Sequence, residues 1–225
     1  MNPFGPTPRQ RTLSVAHDRI RGLYAITPEE SDSAVLAAKV RLALSGGARV
    51  VQYRSKHPER ALRVSQAALL LDLCRSTGAL LIVNDDIECA IEIGADGAHI
   101  GREDGEAAAA RKRLGPALML GVSCYNQLEL ALVAERAGAD YVAFGSMFAS
   151  GTKPAAVRAP LELIARARAR LQVPIVAIGG ITSENAGSVV DAGADAVAVI
   201  SAVFDADDVA AAAAAFSRLF PTSQP

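Results

Sequence analysis

Polar and charged side chains follow the apolar run Val50-Val51, and their types suit the binding of a phosphate or diphosphate. Gln52, Arg54 and Lys56 occupy alternate positions, so they point to one face for as long as the chain stays extended. Two cations and an amide on one face can form charge-assisted hydrogen bonds to anionic oxygens. A solvated loop is the alternative explanation for the same residues.

Two carboxylates follow the next two apolar runs and suit a hard cation. Asp85 comes shortly after the run that ends at Val83, and Asp104 comes after the run that ends at Ile100. Mg²⁺ typically takes one or two carboxylates together with phosphate oxygens and water. We interpret Asp85 and Asp104 as ligands of one magnesium ion. Helix capping is the alternative role for Asp104 and the expected role of Asp86.

Small and hydroxyl-bearing residues follow the later runs. Ser123 suits donation to a phosphate or to a backbone group, and no Gly-x-Ser-x-Gly elbow of a serine hydrolase surrounds it. Residues 145–153 carry hydroxyls and Lys153 and are similar to a lid that closes over phosphates, with an ordinary loop as the alternative. Backbone amides around Gly179-Gly180 and Ser201 suit a second phosphate, with a tight turn as the alternative.

These residues need elements that bring them together, and a repeated sequence unit predicts such elements. Four Gly-Ala-Asp or Gly-Ala-Arg triplets each follow a helical stretch and lead into a short apolar run; they begin at Gly47, Gly94, Gly138 and Gly193. This order is typical of a helix that ends at glycine and feeds a buried parallel strand. Because the carboxyl ends of such strands meet, the polar residues are predicted to converge.

Eight strands alternating with eight helices are predicted. The strands are expected over 22–26, 49–53, 80–83, 97–100, 118–122, 141–144, 174–178 and 196–199. The helices are expected over 33–45, 58–76, 87–93, 105–114, 127–137, 159–171, 183–192 and 205–219, with Ser183 and Asp205 as N-caps of the last two. The alternation predicts a single (β/α)8 TIM barrel, with a doubly wound open sheet as the alternative.

Composition limits the classes of protein to which the chain can belong. It has 225 residues, 51% hydrophobic residues and a net charge of -1, which argues against a broad nucleic-acid surface. No apolar run is long enough for a membrane span. We predict a disordered lead over 1–21, a barrel domain over 22–220 and a tail over 221–225. A cytoplasmic monomer or homodimer is expected, with His99 as a structural polar group and reduced core cysteines at Cys74, Cys89 and Cys124.

The chain resembles the thiamine phosphate synthase family in an ordered set of segments between Gly22 and Ala202. The segments are Leu23-Tyr24-Ala25-Ile26-Thr27, Val51-Gln52-Tyr53-Arg54-Ser55-Lys56, Ile82-Val83-Asn84-Asp85, Gly97-Ala98-His99-Ile100-Gly101, Gly121-Val122-Ser123, Thr152-Lys153, Ala177-Ile178-Gly179-Gly180-Ile181 and Val199-Ile200-Ser201. The resemblance implies a Mg²⁺-assisted transferase. Such an enzyme joins hydroxymethylpyrimidine diphosphate to thiazole phosphate and releases thiamine phosphate and pyrophosphate.

The resemblance also implies roles for particular residues. The pyrimidine diphosphate is expected to contact Gln52, Arg54, Lys56, Asn84, Ser123 and Lys153. The magnesium ligands are expected to be Asp85 and Asp104. The thiazole phosphate is expected to contact Ser150, Thr152, Gly180, Ile200 and Ser201. The catalytic residues, which act on the leaving diphosphate, are expected to be Arg54, Lys56, Ser123 and Lys153.

Two departures from the family pattern are visible. The family often has Pro-Thr in the lid where this chain has Ala149-Ser150, and it commonly has Gln where this chain has Arg102. Both departures bear on lid dynamics and affinity more than on the reaction. A thiazole tautomerase of the same barrel family is one alternative, but it has His near the position of Tyr125. A non-catalytic phosphate-ligand sensor is the other alternative, and it would need no metal ligands.

Overall fold

The chain folds into a closed barrel of eight parallel strands. The computed structural model describes residues 19–101, 105–149 and 157–220. Each strand pairs with the next, and the last pairs with the first. The strands are β1 (Gly22–Ile26), β2 (Val50–Tyr53), β3 (Leu80–Asn84), β4 (Gly97–Ile100), β5 (Met119–Tyr125), β6 (Tyr141–Phe144), β7 (Ile175–Ile178) and β8 (Ala196–Val199). The predicted TIM barrel is confirmed, and the open sheet is excluded by the pairing of β1 with β8.

Helices lie between the strands in the predicted order. Over the described ranges they are α1 (Ser33–Ser45), α2 (Arg60–Thr77), α3 (Ile87–Ile93), α4 (Ala107–Leu114), α5 (Leu128–Arg136), α6 (Leu161–Arg168), α7 (Ala186–Asp191), α8 (Ser201–Phe204) and α9 (Val209–Ser217). No helix in the described part of the chain has the length and apolar character to cross a membrane. The short helix α8 directly after β8 was not predicted.

Both predicted N-caps of the last helices are wrong. Helix α7 begins after Asn185 rather than Ser183, because the segment after β7 turns first: Thr182 N–H donates to Asn185 Oδ1 over 2.9 Å. Asp205 ends α8, and the N-cap of α9 is Asp208, whose carboxylate accepts from Ala211 N–H over 2.9 Å. Because α8 occupies residues Ser201–Phe204, the last helix begins at Val209, later than predicted.

Apolar side chains form two separate layers, one inside the barrel and one between the barrel and its helices. Successive residues of a strand point to opposite faces, so seven of the eight strands supply both apolar layers, whereas the inward-facing residues of β4 are Gly97 and His99. The inner layer consists of Ile20, Tyr24, Ile26, Val50, Leu80, Ile82, Met119, Tyr141, Ala143, Val176, Ala196 and Ala198. Residues 1–18 of the predicted disordered lead lie outside the described residues, whereas Ile20 is fully buried in this inner layer.

The Gly-Ala-Asp triplets tie neighbouring strands together at the amino end of the barrel. The Asp195 carboxylate accepts from Ile175 N–H over 2.7 Å and pairs with Arg168 over 2.6 Å. The Asp140 carboxylate likewise accepts from Leu120 N–H over 2.8 Å and forms a salt bridge with Arg111. The triplet glycines have left-handed backbone, with φ of 97° at Gly138, which glycine adopts without steric cost.

We expect Asp140→Ala to lower the free energy of unfolding by about 3 kcal/mol, because it removes the carboxylate that pairs with the half-buried Arg111 guanidinium and leaves the buried Leu120 N–H without its acceptor. Urea unfolding followed by circular dichroism measures the change. Asp72→Ala, which removes an exposed carboxylate of α2, is the control and should shift stability by less than about 0.5 kcal/mol. Equal stability of the two variants would contradict the role of Asp140.

The three cysteines are buried and not disulfide-bonded, as predicted from the sequence. Burial raises the pKa of the thiols, to about 12 for Cys74, about 11 for Cys89 and about 12 for Cys124. Raised values keep all three as neutral thiols near neutral pH, and the thiolate is the reactive form.

We therefore expect all three thiols of the folded chain to react slowly with a disulfide reagent at pH 8, and all three to react at once after denaturation. Absorbance of the released thiolate measures both rates. Rapid labelling of one thiol in the folded chain, at the rate of a free cysteine, would show that its site opens to solvent.

Candidate active site

The loop after β2 is held by a carboxylate from the loop after β1. Glu29 Oε1 lies 3.1 Å from Arg54 Nη1, and the two carboxylate oxygens of Glu29 accept from Lys56 N–H over 3.1 and 3.0 Å. Buried Thr27 adds a second tie, since its Oγ1 accepts from Arg54 N–H over 2.9 Å. The loop that carries the two predicted cations is thus held at the mouth, the end of the barrel where the strands have their carboxyl ends, by Glu29 and Thr27, to which the sequence analysis gave no role.

The predicted residues Gln52, Arg54 and Lys56 divide between the barrel interior and the mouth. Strand β2 ends at Tyr53, so the extended stretch stops before Arg54. Gln52 is buried beneath the mouth and donates through Nε2 to the Tyr24 hydroxyl over 2.8 Å. Arg54 is half-buried and Lys56 is exposed, so only these two cations lie where an anionic ligand can reach them without entering the interior.

Two consecutive carboxylates follow β3 and have different roles: one caps a helix, and the other is exposed at the mouth. Asp86 Oδ1 accepts from Cys89 N–H over 2.9 Å and caps α3, as expected. Asp85 is exposed and has left-handed backbone with φ of 63°, a conformation that is uncommon outside glycine and concentrated at functional sites. Its N–H donates to the His99 carbonyl over 2.8 Å, so it lies beside the end of β4.

A groove of about 560 Å³ joins the ends of β2 and β3. Lys56, Asn84 and Asp85 line it together, so the structure places three of the predicted ligand residues at one opening. Arg63 and Arg113 line its outer side, and each is paired with an acid, Asp86 at 3.5 Å and Glu88 respectively. The groove therefore carries a cation, an amide and a carboxylate, which is a set that suits a diphosphate with a metal ion.

Ser123 of β5 sits next to His99 of β4. The Ser123 Oγ lies 2.9 Å from His99 Nε2, and His99 is buried. The bond confirms that His99 is a polar group inside the barrel, as predicted, and places it against a predicted ligand residue. Burial raises the pKa of the neighbouring Tyr141 hydroxyl well above its ordinary value, so this hydroxyl stays protonated around neutral pH.

The loop that follows β6 starts by pairing with the end of β7. Met147 N–H donates to the Ile178 carbonyl over 3.0 Å, and Phe148 N–H donates to the Gly179 carbonyl over 2.9 Å. A Cβ at Gly180 would lie 2.3 Å from the carbonyl oxygen of Ala149. Glycine is thus required here so that the two loops can approach, which shows that Gly180 does more than form an isolated tight turn.

The ends of β7 and β8 present backbone groups beside each other. Asn185 Nδ2 donates to the Gly180 carbonyl over 3.0 Å and holds the loop after β7. Helix α8 begins at Ser201 directly after Ile200, and Ser201 is exposed. Many TIM barrels bind phosphate at the loops after these two strands with a short extra helix, and the present arrangement has the same parts.

Several predicted site residues lie outside the described residues. They are Asp104, Ser150, Thr152 and Lys153, and Arg102, one of the departures from the family pattern, also lies outside them. The chain approaches Asp104 from the end of β4, which pairs with β3 through Asn84 and His99. Among the described residues, no group of three or more His, Cys, Asp or Glu side chains could hold a metal ion.

Comparison with known proteins relates this site to one family. The thiamine monophosphate synthase family model matches residues 23–203. Thiamine-phosphate synthases of Aromatoleum aromaticum and Chromobacterium violaceum are 55% and 57% identical over 202 residues, which are 90% of this chain and 97% of each relative. The thiamine phosphate pyrophosphorylase structure from Pyrococcus furiosus is 36% identical with a TM-score of 0.81, covering 90% of this chain and 96% of that one. The chain therefore belongs to the thiamine monophosphate synthase family.

Proposed function

We propose that the chain is a transferase that makes thiamine phosphate. It joins 4-amino-2-methyl-5-hydroxymethylpyrimidine diphosphate to the ring nitrogen of 4-methyl-5-(2-phosphoethyl)thiazole and releases pyrophosphate; with the carboxylated form of the thiazole, CO₂ is lost as well. Family membership supports the reaction. The observation that carries the proposal within the structure is the groove in which Lys56, Asn84 and Asp85 meet at the carboxyl ends of β2 and β3.

The reaction needs charge stabilisation and alignment more than proton transfer. The bond between the exocyclic methylene carbon and the diphosphate oxygen breaks, and the diphosphate leaves with the electron pair. The electron-rich aminopyrimidine stabilises the resulting cation, and the thiazole nitrogen forms the new bond with its own lone pair. No general base is required, so cations and hydroxyls placed against the leaving group supply the catalysis.

The leaving diphosphate would be held by the fixed loop after β2. Arg54 and Lys56 donate to its oxygens, and Glu29 keeps this loop in place through Arg54 and the Lys56 backbone. Ser123 and Lys153 complete the set of predicted donors. Asp85 and Asp104 would hold Mg²⁺, which when bound supplies positive charge against the diphosphate oxygens.

The second substrate would bind on the opposite side of the mouth. We assign its phosphate to the backbone at Gly180, Ile200 and Ser201, together with the side chains of Ser150 and Thr152. The close approach of the loops after β6 and β7 supports this assignment because it places Ala149, which precedes Ser150 in the sequence, against Gly180.

The two alternatives of the sequence analysis have no support. The relatives and the solved structure described above carry the synthase or pyrophosphorylase name. Tyr125, which stands where the tautomerase has its histidine, is exposed with left-handed backbone at the end of β5. The carboxylate of Asp85 at the groove also argues against a sensor that needs no metal.

Three expectations from the sequence stay predictions that accompany this proposal. They are Mg²⁺ as the cofactor, a cytoplasmic location, and a monomeric or homodimeric state. Small-molecule substrates are the ligands that we expect to bind at the mouth.

The proposed reaction is tested directly by supplying both substrates to the purified chain with Mg²⁺ and with a chelator. We expect equal amounts of thiamine phosphate and pyrophosphate to form, and only when the metal is present. Chromatography measures the first product and a coupled phosphate assay the second. Isomerisation of a carboxythiazole phosphate without the pyrimidine substrate would support the tautomerase instead.

We expect Asp85→Ala, Lys56→Ala and Lys153→Ala each to lower kcat by about a hundredfold or more, because each removes charge that the transition state uses. Asp191→Ala and Arg136→Ala are matched controls. Both residues are the last of their helices and thus lie at the end of the barrel away from the mouth, and both variants should keep normal turnover. Near-normal turnover of Asp85→Ala and Lys153→Ala would contradict the assigned site.

Glu29→Ala is expected to lower kcat/KM for the pyrimidine diphosphate about tenfold, which is about 1.4 kcal/mol, because the loop that carries Arg54 and Lys56 loses its anchor. Glu29→Gln keeps the hydrogen-bond acceptor and should recover part of this loss. Steady-state kinetics with the thiazole phosphate saturating makes the measurement. Glu30→Ala is the control, since this carboxylate contacts Asp32 and Lys39 instead; an equal loss in Glu30→Ala would refute the anchoring role.

A further inference from the structure

A row of side-chain hydrogen bonds crosses the barrel interior just beneath the mouth. Gln52 Nε2 lies 2.8 Å from the Tyr24 hydroxyl, which lies 2.8 Å from the Tyr141 hydroxyl. The Tyr141 hydroxyl lies 3.1 Å from His99 Nδ1, and His99 Nε2 lies 2.9 Å from Ser123 Oγ. The five residues come from five different strands, and only Gln52 and Ser123 at the two ends are predicted ligand residues.

The middle of this row occupies space that a glycine leaves open. A Cβ at Gly121 would lie 2.3 Å from the Tyr141 hydroxyl oxygen and 2.5 Å from His99 Nδ1. Gly121 has ordinary strand backbone, so its small size and not its backbone freedom is what the position needs. Tyr24, Tyr141 and His99 are all buried, which makes each of these bonds costly to leave unmade.

All donors and acceptors of the row are matched when each group donates to the next one, from Gln52 toward Ser123. Tyr24 oxygen accepts from the Gln52 amide, so the Tyr24 proton is directed to Tyr141 and the Tyr141 proton to His99 Nδ1. A neutral imidazole that accepts at Nδ1 carries its proton at Nε2, and this proton is donated to Ser123 Oγ. In the reverse direction the Tyr24 oxygen would accept twice and its own proton would have no acceptor within the row.

Both tyrosine hydroxyls are protonated, as a row of hydrogen bonds in either direction requires. Burial raises the pKa of Tyr24 far above its ordinary value, and burial also raises that of Tyr141. Both hydroxyls therefore keep their protons throughout the physiological pH range and act as donors.

We propose that Tyr24, Tyr141 and His99 are positioning residues that orient the Ser123 hydroxyl, so that Ser123 accepts from His99 and donates its own proton into the mouth. The inference rests on the proposed function for its ligand, which is an anionic oxygen of the departing diphosphate. An anionic oxygen needs a donor. A serine that instead gave its proton to His99 would turn lone pairs toward the anion.

The tautomer of His99 tests the direction of the row without any activity measurement. The chain has three histidines, and His99→Asn identifies the signals of this one in a ¹⁵N–¹H long-range correlation spectrum of histidine-labelled protein. We expect protonated Nε2 and unprotonated Nδ1 in the wild type at neutral pH. Protonation of Nδ1, or of both nitrogens, in the wild type would overturn the proposal.

Tyr141→Phe removes the donor to Nδ1, together with the acceptor of the Tyr24 proton, so the Nδ1-protonated tautomer should become populated. We expect kcat to fall about tenfold to a hundredfold, the range of one hydrogen bond to a charged group, with KM for the thiazole phosphate nearly unchanged. Tyr53→Phe is the matched control, because it removes a tyrosine hydroxyl bonded to Gln66 over 2.8 Å in the outer layer. It should change neither the His99 tautomer nor kcat.

A double-mutant cycle shows whether the row acts through Ser123. In a Ser123→Ala background, Tyr141→Phe should have almost no further effect on kcat, since the group that it orients is gone. Additive losses would show a merely structural role and overturn the proposal. Should Tyr141→Phe fold poorly, Tyr24→Phe gives the same cycle one bond further away.

Failure of this inference and failure of the proposed function give different results. A wild-type chain with the Nε2-protonated tautomer but without synthase activity would contradict the function and support the orientation. An active chain with the other tautomer, or with additive losses, would support the function and overturn the orientation.

Discussion

The pairing of β8 with β1 is the constraint on which the rest of the structure depends. It closes the sheet, so all eight parallel strands end on one ring, and residues as distant in sequence as Thr27 and Ser201 follow neighbouring strands. Closure also creates an interior that only inward-facing residues can fill. Closure of the sheet is therefore what creates the mouth, the two apolar layers and the row of polar groups beneath the mouth.

The two ends of the barrel carry different kinds of ionic contact. At the amino end, the triplet carboxylates bind strand N–H groups and arginines, as Asp195 binds Ile175 and Arg168, and these contacts hold strands in register. At the mouth, Glu29 ties down a loop, whereas Asp85 faces the groove. Stability and ligand binding therefore depend on separate sets of charges, and either set can change without the other.

The sequence predicted the repeating architecture well, because each unit carries its own signals. Glycine after a helix and an apolar run after the triplet are local features, and four of the eight strands have the predicted bounds. The short helix α8 and the caps Asn185 and Asp208 were missed, since they depend on how the last loops turn. Glu29 and Tyr141 were missed for a different reason: their partners are 25 or more residues away, and only the closed barrel brings them together.

The hydrogen bonds in the row from Gln52 to Ser123 depend on one another. Each group in the row from Gln52 to Ser123 satisfies its neighbour, and Gly121 provides the room in which Tyr141 meets His99. Loss of the hydroxyl of Tyr24 or Tyr141, or of the His99 ring, leaves a buried neighbour on each side without a partner. The effects of substitutions in this layer are therefore expected to be coupled, so that a change at one position is compensated only by a change at its neighbour.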